Sequence, residues 1–137
     1  MPDANDATAL GRWARFARRL RSRRFRVADW SMEPTLVPDD RLYVDPGAYR
    51  HRSPVRGDLV VARETESPHR FFVKRVGFVS GELALPDGPR VPPGFVYLLG
   101  DNLALSRDSR RYGPVPIGSL VGRAYRLYLP AERRRKL

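Results

Sequence analysis

The sequence contains no cysteine, so disulfide bonds and thiolate metal sites are excluded. Its only two histidines, His51 and His69, stand alone and give no metal-ligand spacing, and no metal or other cofactor is expected. No apolar run approaches the roughly 18–20 residues of a membrane span, and residues 1–30 lack the apolar core of a secretory signal. The sequence therefore predicts a cytoplasmic protein that is not inserted in a membrane and can at most bind a membrane peripherally.

Lysine is scarce although the net charge is +11. Of the 26 basic residues only Lys74 and Lys136 are lysines, and Lys136 lies close to the C-terminus. Arginine keeps its proton, whereas a buried lysine can lose it. Phe72 and Val76 share the predicted strand face of Lys74 and would remove water from its amine. We interpret Lys74 as a candidate base, and a lysine on a half-exposed surface strand is the alternative.

The basic charge is concentrated at the two ends of the chain. Residues 1–26 hold eight arginines and two aspartates, and residues 132–137 hold four basic residues and one glutamate, whereas the charges of residues 27–131 nearly cancel. This division predicts a basic amphipathic arm over 1–26, a folded domain over 27–131 and a solvated basic tail over 132–137. Basic ends indicate an anionic partner, either membrane headgroups or nucleic acid.

Within the arm, residues 9–26 are predicted to form a helix. Trp13, Ala17 and Leu20 recur at helical spacing, and arginines fill the other faces. Basic amphipathic helices of this kind are typical of segments that lie on an anionic membrane surface. In the alternative interpretation the helix packs Trp13 and Leu20 against the folded domain.

The remainder of the chain predicts an all-β fold. Short apolar runs alternate with turns rich in proline and glycine, which set the backbone angles that turns require. Short strands at regular spacing favour a sandwich or a barrel. The predicted strands are 25–28, 41–45, 58–63, 70–76, 82–85, 95–99 and 119–129.

Ser31 is the candidate nucleophile. It precedes Met32-Glu33-Pro34, a segment stiffened by its proline. A serine hydroxyl needs a nearby base before it can attack a carbonyl. Only tertiary folding can bring Ser31 to Lys74, which lies 43 residues further along the chain. By itself, a serine beside prolines is more typical of a turn residue than of a nucleophile.

A polar segment over 100–115 follows the predicted strand 95–99 and is rich in hydroxyl, carboxylate and guanidinium groups. We expect Ser106 to hydrogen-bond the Lys74 amine, and Asp108 and Arg110 to form an ion pair that holds the segment. The alternative is a polar surface loop whose side chains bond the local backbone.

These three segments together resemble the bacterial type I signal peptidase-like serine endopeptidases. The resemblance covers about residues 25–129. Because the chain is short and shows no transmembrane anchor, it is most similar to the nickel-type superoxide dismutase maturation proteases within this family. It implies a signal peptidase-like β-sandwich or half-barrel. The motifs that carry it are Ser31-Met32-x-Pro34-Thr35-Leu36, Lys74-Arg75-Val76 and Gly100-Asp101-Asn102 followed by Ser106-x-Asp108-Ser109-Arg110.

The resemblance implies a Ser–Lys dyad, in which Lys74 takes the proton of Ser31 and later gives it to the leaving amine. The Ser31 N–H would contribute to the oxyanion hole. Family members often carry a small or hydroxyl residue two positions before the nucleophile, where this chain has Asp29. A carboxylate facing a developing oxyanion is repulsive, so Asp29 is expected to point elsewhere or to be protonated.

Other site residues also follow from the resemblance. Ser106 matches the hydroxyl that orients the lysine, Asp108 and Arg110 match a structural pair near the site, and Met32 matches a residue of the substrate pocket. The implied function is removal of an N-terminal leader from a protein precursor, with the nickel superoxide dismutase precursor as the specific candidate. Signal-peptide processing at a membrane surface is an alternative within the same chemistry.

Two further alternatives remain. A self-cleaving regulator like the SOS-response repressors would use a related dyad, but the first 25 residues are too few for a helix-turn-helix region. A basic β-barrel that binds nucleic acid would use the net charge of +11. Nucleic acid is the less favoured partner, because charges nearly cancel in the predicted domain and its strands lack the interleaved aromatic and basic residues of stacking platforms.

Overall fold

The structure, a computed structural model, describes residues 4–67 and 69–137, with side chains from residue 11 onward. Its described part contains one eight-stranded sheet, an N-terminal α-helix and a four-residue α-helix between the fifth and sixth strands. The elements are α1 Ala4–Arg21, β1 Arg23–Arg26, β2 Arg41–Asp45, β3 Leu59–Arg63, β4 Phe71–Val79, β5 Phe95–Leu99, α2 Ser109–Tyr112, β6 Val115–Pro116, β7 Leu120–Leu129 and β8 Arg135–Lys136.

The strand order is β1-β2-β7-β3-β4-β5-β6, and β8 pairs with β7. Every pair is antiparallel. The ten-residue β7 therefore pairs with three strands and joins the β1–β2 hairpin to the rest of the sheet. The predicted all-β fold is confirmed.

The sheet has an apolar core on each of its faces. The central strand β3 is accordingly buried on both faces. Leu59 and Val61 face one core, and Val60 and Ala62 face the other. The first core lies beneath the turn that carries Ser31, since Met32 and Leu36 of that turn belong to it. The two cores are formed by Val27, Met32, Leu36, Leu42, Val44, Leu59, Val61, Val73, Ala124 and Leu127, and by Val60, Ala62, Val76, Val96, Leu98 and Val115.

Strand prediction was exact for two strands, approximate for most of the others, and wrong for one segment, and the short strands β6 and β8 were not predicted. Strands 41–45 and 95–99 have the predicted bounds. The predicted strand 82–85 is wrong: in that segment only Leu83 forms an isolated bridge, with Arg90 across the tight turn. The first strand lies at Arg23–Arg26 instead of 25–28, so the sheet begins inside the segment predicted as the arm.

The C-terminal segment is largely exposed to solvent, but it is held against the folded domain, which its charge did not predict. Arg135 and Lys136 form β8, and the Leu137 N–H donates to the Tyr125 carbonyl at 3.0 Å. Arg133 donates to both carboxylate oxygens of Asp40, at 2.8 and 2.9 Å. Because Asp40 is 1% exposed, its charge requires such a partner, which explains why a basic residue is held there.

Helix α1 contacts the sheet through its arginine side and not through its apolar side. The Arg18 guanidinium lies 4.2 Å from the centre of the Tyr125 ring, and the Tyr125 hydroxyl hydrogen-bonds Ser22 Oγ at 2.6 Å. Trp13 and Leu20 are 70% and 72% exposed. The interpretation in which they pack on the folded domain is therefore wrong. Neither described helix combines the length and apolar character needed to cross a bilayer.

Candidate active site

Ser31 lies in the turn between β1 and β2, where local hydrogen bonds and the core below hold the backbone. The Glu33 N–H donates to the Trp30 carbonyl, and the Leu36 N–H donates to the Met32 carbonyl. The Ser31 carbonyl accepts the Asn102 N–H at 2.9 Å, which ties this turn to the loop after β5. Ser31 is 5% exposed.

Met32 does not line an open pocket as predicted. Its side chain has no exposed surface and packs in the core with Leu36 and Val27. A residue in this position anchors the Ser31 turn from beneath, since a fully buried apolar side chain contributes about 1.5–3 kcal/mol to stability. The expected contact with substrate is thus replaced by a structural role.

Lys74 lies in the middle of β4, and its Nζ is 2.7 Å from Ser31 Oγ. The lysine is 3% exposed. Its Nζ lies 5.8 Å from the centre of the Phe72 ring, and Val76 packs in the adjoining core, in keeping with the predicted apolar strand face. Folding thus unites the two residues that the sequence singled out independently.

Burial lowers the pKa of Lys74 below its ordinary value, against the opposing effect of the Asp29 and Asp108 charges. Removal of water penalises the ammonium form more than the neutral amine. A neutral amine 2.7 Å from a serine hydroxyl can accept that hydroxyl's proton. The arrangement therefore places a candidate nucleophile and a candidate base in hydrogen-bond contact.

Asp29 lies two positions before Ser31, where family members often carry a small or hydroxyl residue. Its Oδ1 accepts the Ser31 N–H at 2.9 Å. Partial burial raises the pKa of Asp29, but the hydrogen bonds from Ser31 and the nearby Lys74 charge outweigh it, and the net pKa is lowered. The expectation that Asp29 points away or is protonated is therefore wrong: an ionised carboxylate is bound to the Ser31 amide.

Asp108 and Arg110 form the predicted ion pair. Arg110 donates to the two Asp108 oxygens at 2.9 and 3.0 Å and also to the Leu103 carbonyl at 2.7 Å. Asp108 is 1% exposed and accepts the Gly100 N–H at 2.9 Å as well. The pair therefore closes the loop over 100–110 on itself and fixes both of its ends.

Ser106 does not make the predicted hydrogen bond to Lys74. Its Oγ is buried and has no hydrogen-bond partner among the described residues. It packs instead against Gly100, where an added Cβ would lie 2.1 Å from Ser106 Oγ and 2.5 Å from the Ser31 carbonyl oxygen. Only glycine permits the loop to approach the Ser31 turn this closely.

Sequence reasoning missed a second connection between the same segments. Arg75 donates to both oxygens of Asp101 at 2.8 Å, and Thr35 Oγ1 donates to Asp101 Oδ2 at 2.5 Å. Burial raises the pKa of Asp101, but the bonds from Arg75 and Thr35 lower it below its ordinary value overall. Arg75 follows Lys74 directly and Thr35 belongs to the Ser31 turn, so this network holds the Ser31 and Lys74 segments together. The sequence did offer a signal for this contact: Arg75 directly follows Lys74, and Asp101 stands in the polar segment, so the two could have been paired.

The model of the family described as "Signal peptidase, peptidase S26" matches residues 9–84 and 80–129. The Mus musculus mitochondrial inner membrane protease subunit 1 is 37% identical over 103 residues, which cover 69% of this chain and 62% of that protein. The Arabidopsis thaliana mitochondrial ATP-independent inner membrane protease subunit 1b is 39% identical over 104 residues, covering 68% and 62%. The probable signal peptidase I-2 of Synechocystis sp. is 32% identical over 133 residues, covering 75% and 61%.

Among solved structures, a signal peptidase I from Enterococcus faecalis is similar with a TM-score of 0.44 and 20% identity. The match covers 53% of this chain and 97% of that chain. With respect to length, this chain spans 61–62% of the three relatives named above.

Proposed function

This chain belongs to the signal peptidase family, peptidase S26, and from that premise we propose that it is a serine endopeptidase with a Ser31–Lys74 dyad. The observation that carries the proposal is the 2.7 Å contact between the buried Lys74 amine and Ser31 Oγ. If this position needed only a positive charge, arginine would be the expected residue, because this chain uses arginine at nearly every other basic position. The chemistry of a removable proton explains the exception.

In the acylation step, Ser31 Oγ attacks the scissile carbonyl carbon as its proton passes to the neutral Lys74 amine. The carbonyl π electrons move to oxygen and form the oxyanion of the tetrahedral intermediate. The C–N bond then breaks, and protonated Lys74 donates its proton to the leaving amine. The products of this step are an ester on Ser31 and a new N-terminus.

Deacylation repeats these steps with water as the nucleophile. Neutral Lys74 takes a proton from water while the water oxygen attacks the ester carbonyl. Collapse of the second tetrahedral intermediate releases Ser31 Oγ, which recovers its proton from Lys74. The released fragment carries a carboxylic acid, which loses its remaining proton to solvent and becomes a carboxylate. A backbone donor that stabilises each oxyanion is typically worth about 3–4 kcal/mol, and the Ser31 N–H is the candidate for that role.

The proposed substrate is a protein precursor with an N-terminal leader. The relatives named above are called inner membrane proteases and signal peptidases, and processing of membrane-associated precursors is consistent with those names. The nickel superoxide dismutase precursor remains the specific candidate, supported by the resemblance of the three motifs. Coexpression with that precursor, followed by intact mass measurement, tests it. Loss of the leader with the wild-type enzyme and not with Ser31→Ala supports the assignment, whereas an intact precursor in both refutes this substrate.

We propose in addition that α1 binds an anionic membrane surface. Trp13, Phe16 and Leu20 lie on one helix face and are 70%, 55% and 72% exposed. Arg18, on the opposite side, contacts the sheet, so the apolar face is turned away from the folded domain. Exposed apolar residues flanked by arginines fit the boundary between headgroups and acyl chains.

Cosedimentation with vesicles tests the membrane proposal. Vesicles containing phosphatidylserine should retain the protein, and vesicles of phosphatidylcholine alone should retain much less of it. Trp13→Ala combined with Leu20→Ser should release it, whereas Trp30→Ala, which removes an exposed tryptophan outside the helix, should not. Equal binding by the helix variant and the wild type would refute a role for this face.

A further inference from the structure

Among the residues that the structure describes, the Ser31 backbone N–H has one acceptor, and that acceptor is a carboxylate. Asp29 Oδ1 lies 2.9 Å from the Ser31 nitrogen. We infer that Asp29 blocks the oxyanion hole of the resting enzyme and must be displaced by the substrate carbonyl, so that Asp29 limits the rate of acylation. The inference rests on the proposed function and adds to it an internal restraint on the same site.

Displacement is necessary because one N–H group cannot serve both anions. The oxygen of the tetrahedral intermediate carries a full negative charge, and it has to lie about 2.7–3.1 Å from its donors to be stabilised. Asp29 Oδ1 already holds that position. Two negatively charged oxygens on one donor would repel each other, so the carboxylate has to leave as the oxyanion forms.

The surroundings allow Asp29 to move while Ser31 stays in place. Asp29 is exposed and Ser31 is buried. The backbone before Asp29 is pinned, since the Val27 N–H donates to the Asp40 carbonyl and the Val27 carbonyl accepts the Asp39 N–H, both at 2.9 Å. Rotation of the Asp29 side chain into solvent is therefore the available motion.

The second carboxylate whose charge acts on Lys74 cannot move in the same way. Asp108 is 1% exposed and is held by Arg110 and by the Gly100 N–H. Of the two acidic groups that act on the amine, Asp29 is thus the displaceable one. Asp108 is therefore a fixed structural carboxylate, whereas Asp29 lies at the Ser31 amide and is free to rotate away.

The same contact has a consequence for the product. Hydrolysis leaves a carboxylate on the released fragment, and this group would bind the Ser31 N–H in the enzyme–product complex. Asp29 competes for that N–H and repels the product charge. We therefore expect a small product peptide to bind weakly to the wild-type enzyme and more tightly once the carboxylate is removed.

Acylation kinetics test the inference with N-acetyl-alanine p-nitrophenyl ester as the probe, since its released nitrophenolate reports on attack by Ser31. The variants are Asp29→Ala, which removes the acceptor, and Asp29→Asn, which retains a neutral acceptor. Rates are compared on the alkaline plateau of each pH profile, where Lys74 is neutral in every variant. This choice removes the separate effect of the Asp29 charge on the Lys74 pKa.

We expect Asp29→Ala to accelerate the nitrophenolate burst about tenfold, a fraction of the 10²–10³ that one oxyanion donor is worth. Asp29→Asn should lie between Asp29→Ala and the wild type. The control is Glu33→Gln, which removes the same charge from an exposed residue of the same turn and should leave the burst unchanged. An unchanged or slower burst in Asp29→Ala would overturn the inference.

A second readout needs no catalysis. Binding of the tripeptide N-acetyl-Ala-Leu-Ala is followed by the NMR shift of the Ser31 amide, with the C-terminal amide of the same peptide as control ligand. Asp29→Ala should bind the carboxylate form about tenfold more tightly, and equal affinity in the two enzymes would overturn the inference. A burst that persists in Ser31→Ala would instead refute the proposed function, and the tripeptide measurement would still decide the role of Asp29.

Discussion

The Lys74 amine and the Ser31 hydroxyl oxygen lie 2.7 Å apart in a site that leaves 3% of Lys74 exposed. Burial favours the neutral amine, and the contact gives that amine a proton to accept. Substitutions can separate the contribution of these two groups from that of the loops that hold them.

The activity should rise with pH as Lys74 loses its proton. Because burial lowers the pKa of Lys74, the midpoint should lie below the pKa of about 10.4 for a free lysine side chain. Asp29→Asn should move the midpoint to lower pH, since the Asp29 charge favours the ammonium form. Initial rates over pH 5–10 on an ester probe measure both effects. A midpoint that moves to higher pH in Asp29→Asn would contradict the electrostatic assignment.

Lys74→Met should raise the stability of the folded protein at neutral pH while removing activity. The folded state binds the Lys74 proton less tightly than the unfolded chain, so wild-type stability rises with pH between the lowered pKa and about 10.4. Below that window the buried charge costs about 1.4 kcal/mol for each unit of pKa lowering. Urea unfolding at pH 7 should therefore show a higher free energy for the variant. A less stable variant would mean that Lys74 contributes packing that methionine cannot replace.

Breaking the Arg75–Asp101 network should cost both stability and activity. Arg75→Met leaves the part-buried Asp101 carboxylate without its two guanidinium bonds, and we expect a loss of about 1–3 kcal/mol. Arg26→Met is the matched control, since its ion pair with Asp39 is largely exposed and should be worth no more than about 0.5–1 kcal/mol. Urea unfolding of the two variants decides the comparison, and equal losses would contradict a special role for the network.

Gly100→Ala should damage the site more than its small size suggests. The added Cβ would lie 2.5 Å from the Ser31 carbonyl oxygen, a backbone atom that cannot move aside without displacing the turn. We expect a loss of about 1–3 kcal/mol and a reduced acylation rate. Gly118→Ala, whose added Cβ would meet nothing within 4 Å, should be neutral or slightly stabilising. Removing Ser106 Oγ by Ser106→Ala should not rescue Gly100→Ala, because the clash with the backbone remains.

The sequence predicted the parts of this molecule that depend on local pattern and on residue choice. Strands 41–45 and 95–99 were found to the residue. The rarity of lysine, together with apolar neighbours on the same strand face, made Lys74 a candidate base, and the fold places it beside Ser31. The side chains of Met32 and Ser106 were misassigned because their directions depend on packing. Tertiary pairing likewise determines the contacts of Arg133 with Asp40 and of Asp101 with Arg75. The charge density of residues 132–137 suggested a free tail. In the structure the buried Asp40 carboxylate needs a partner, and Arg133 of this segment provides it.

Arginine substitution of the two lysines tests the dyad most directly. A leader-bearing precursor that wild-type enzyme cleaves is incubated with Lys74→Arg and with Lys136→Arg, and intact mass is followed over time. Lys74→Arg retains the positive charge and cannot release its proton, so we predict a loss of about 10²–10⁴-fold or more. Lys136→Arg, the same change at the only other lysine, should cleave at the wild-type rate. Cleavage by Lys74→Arg at a rate near that of the wild type would contradict a proton-accepting role for Lys74.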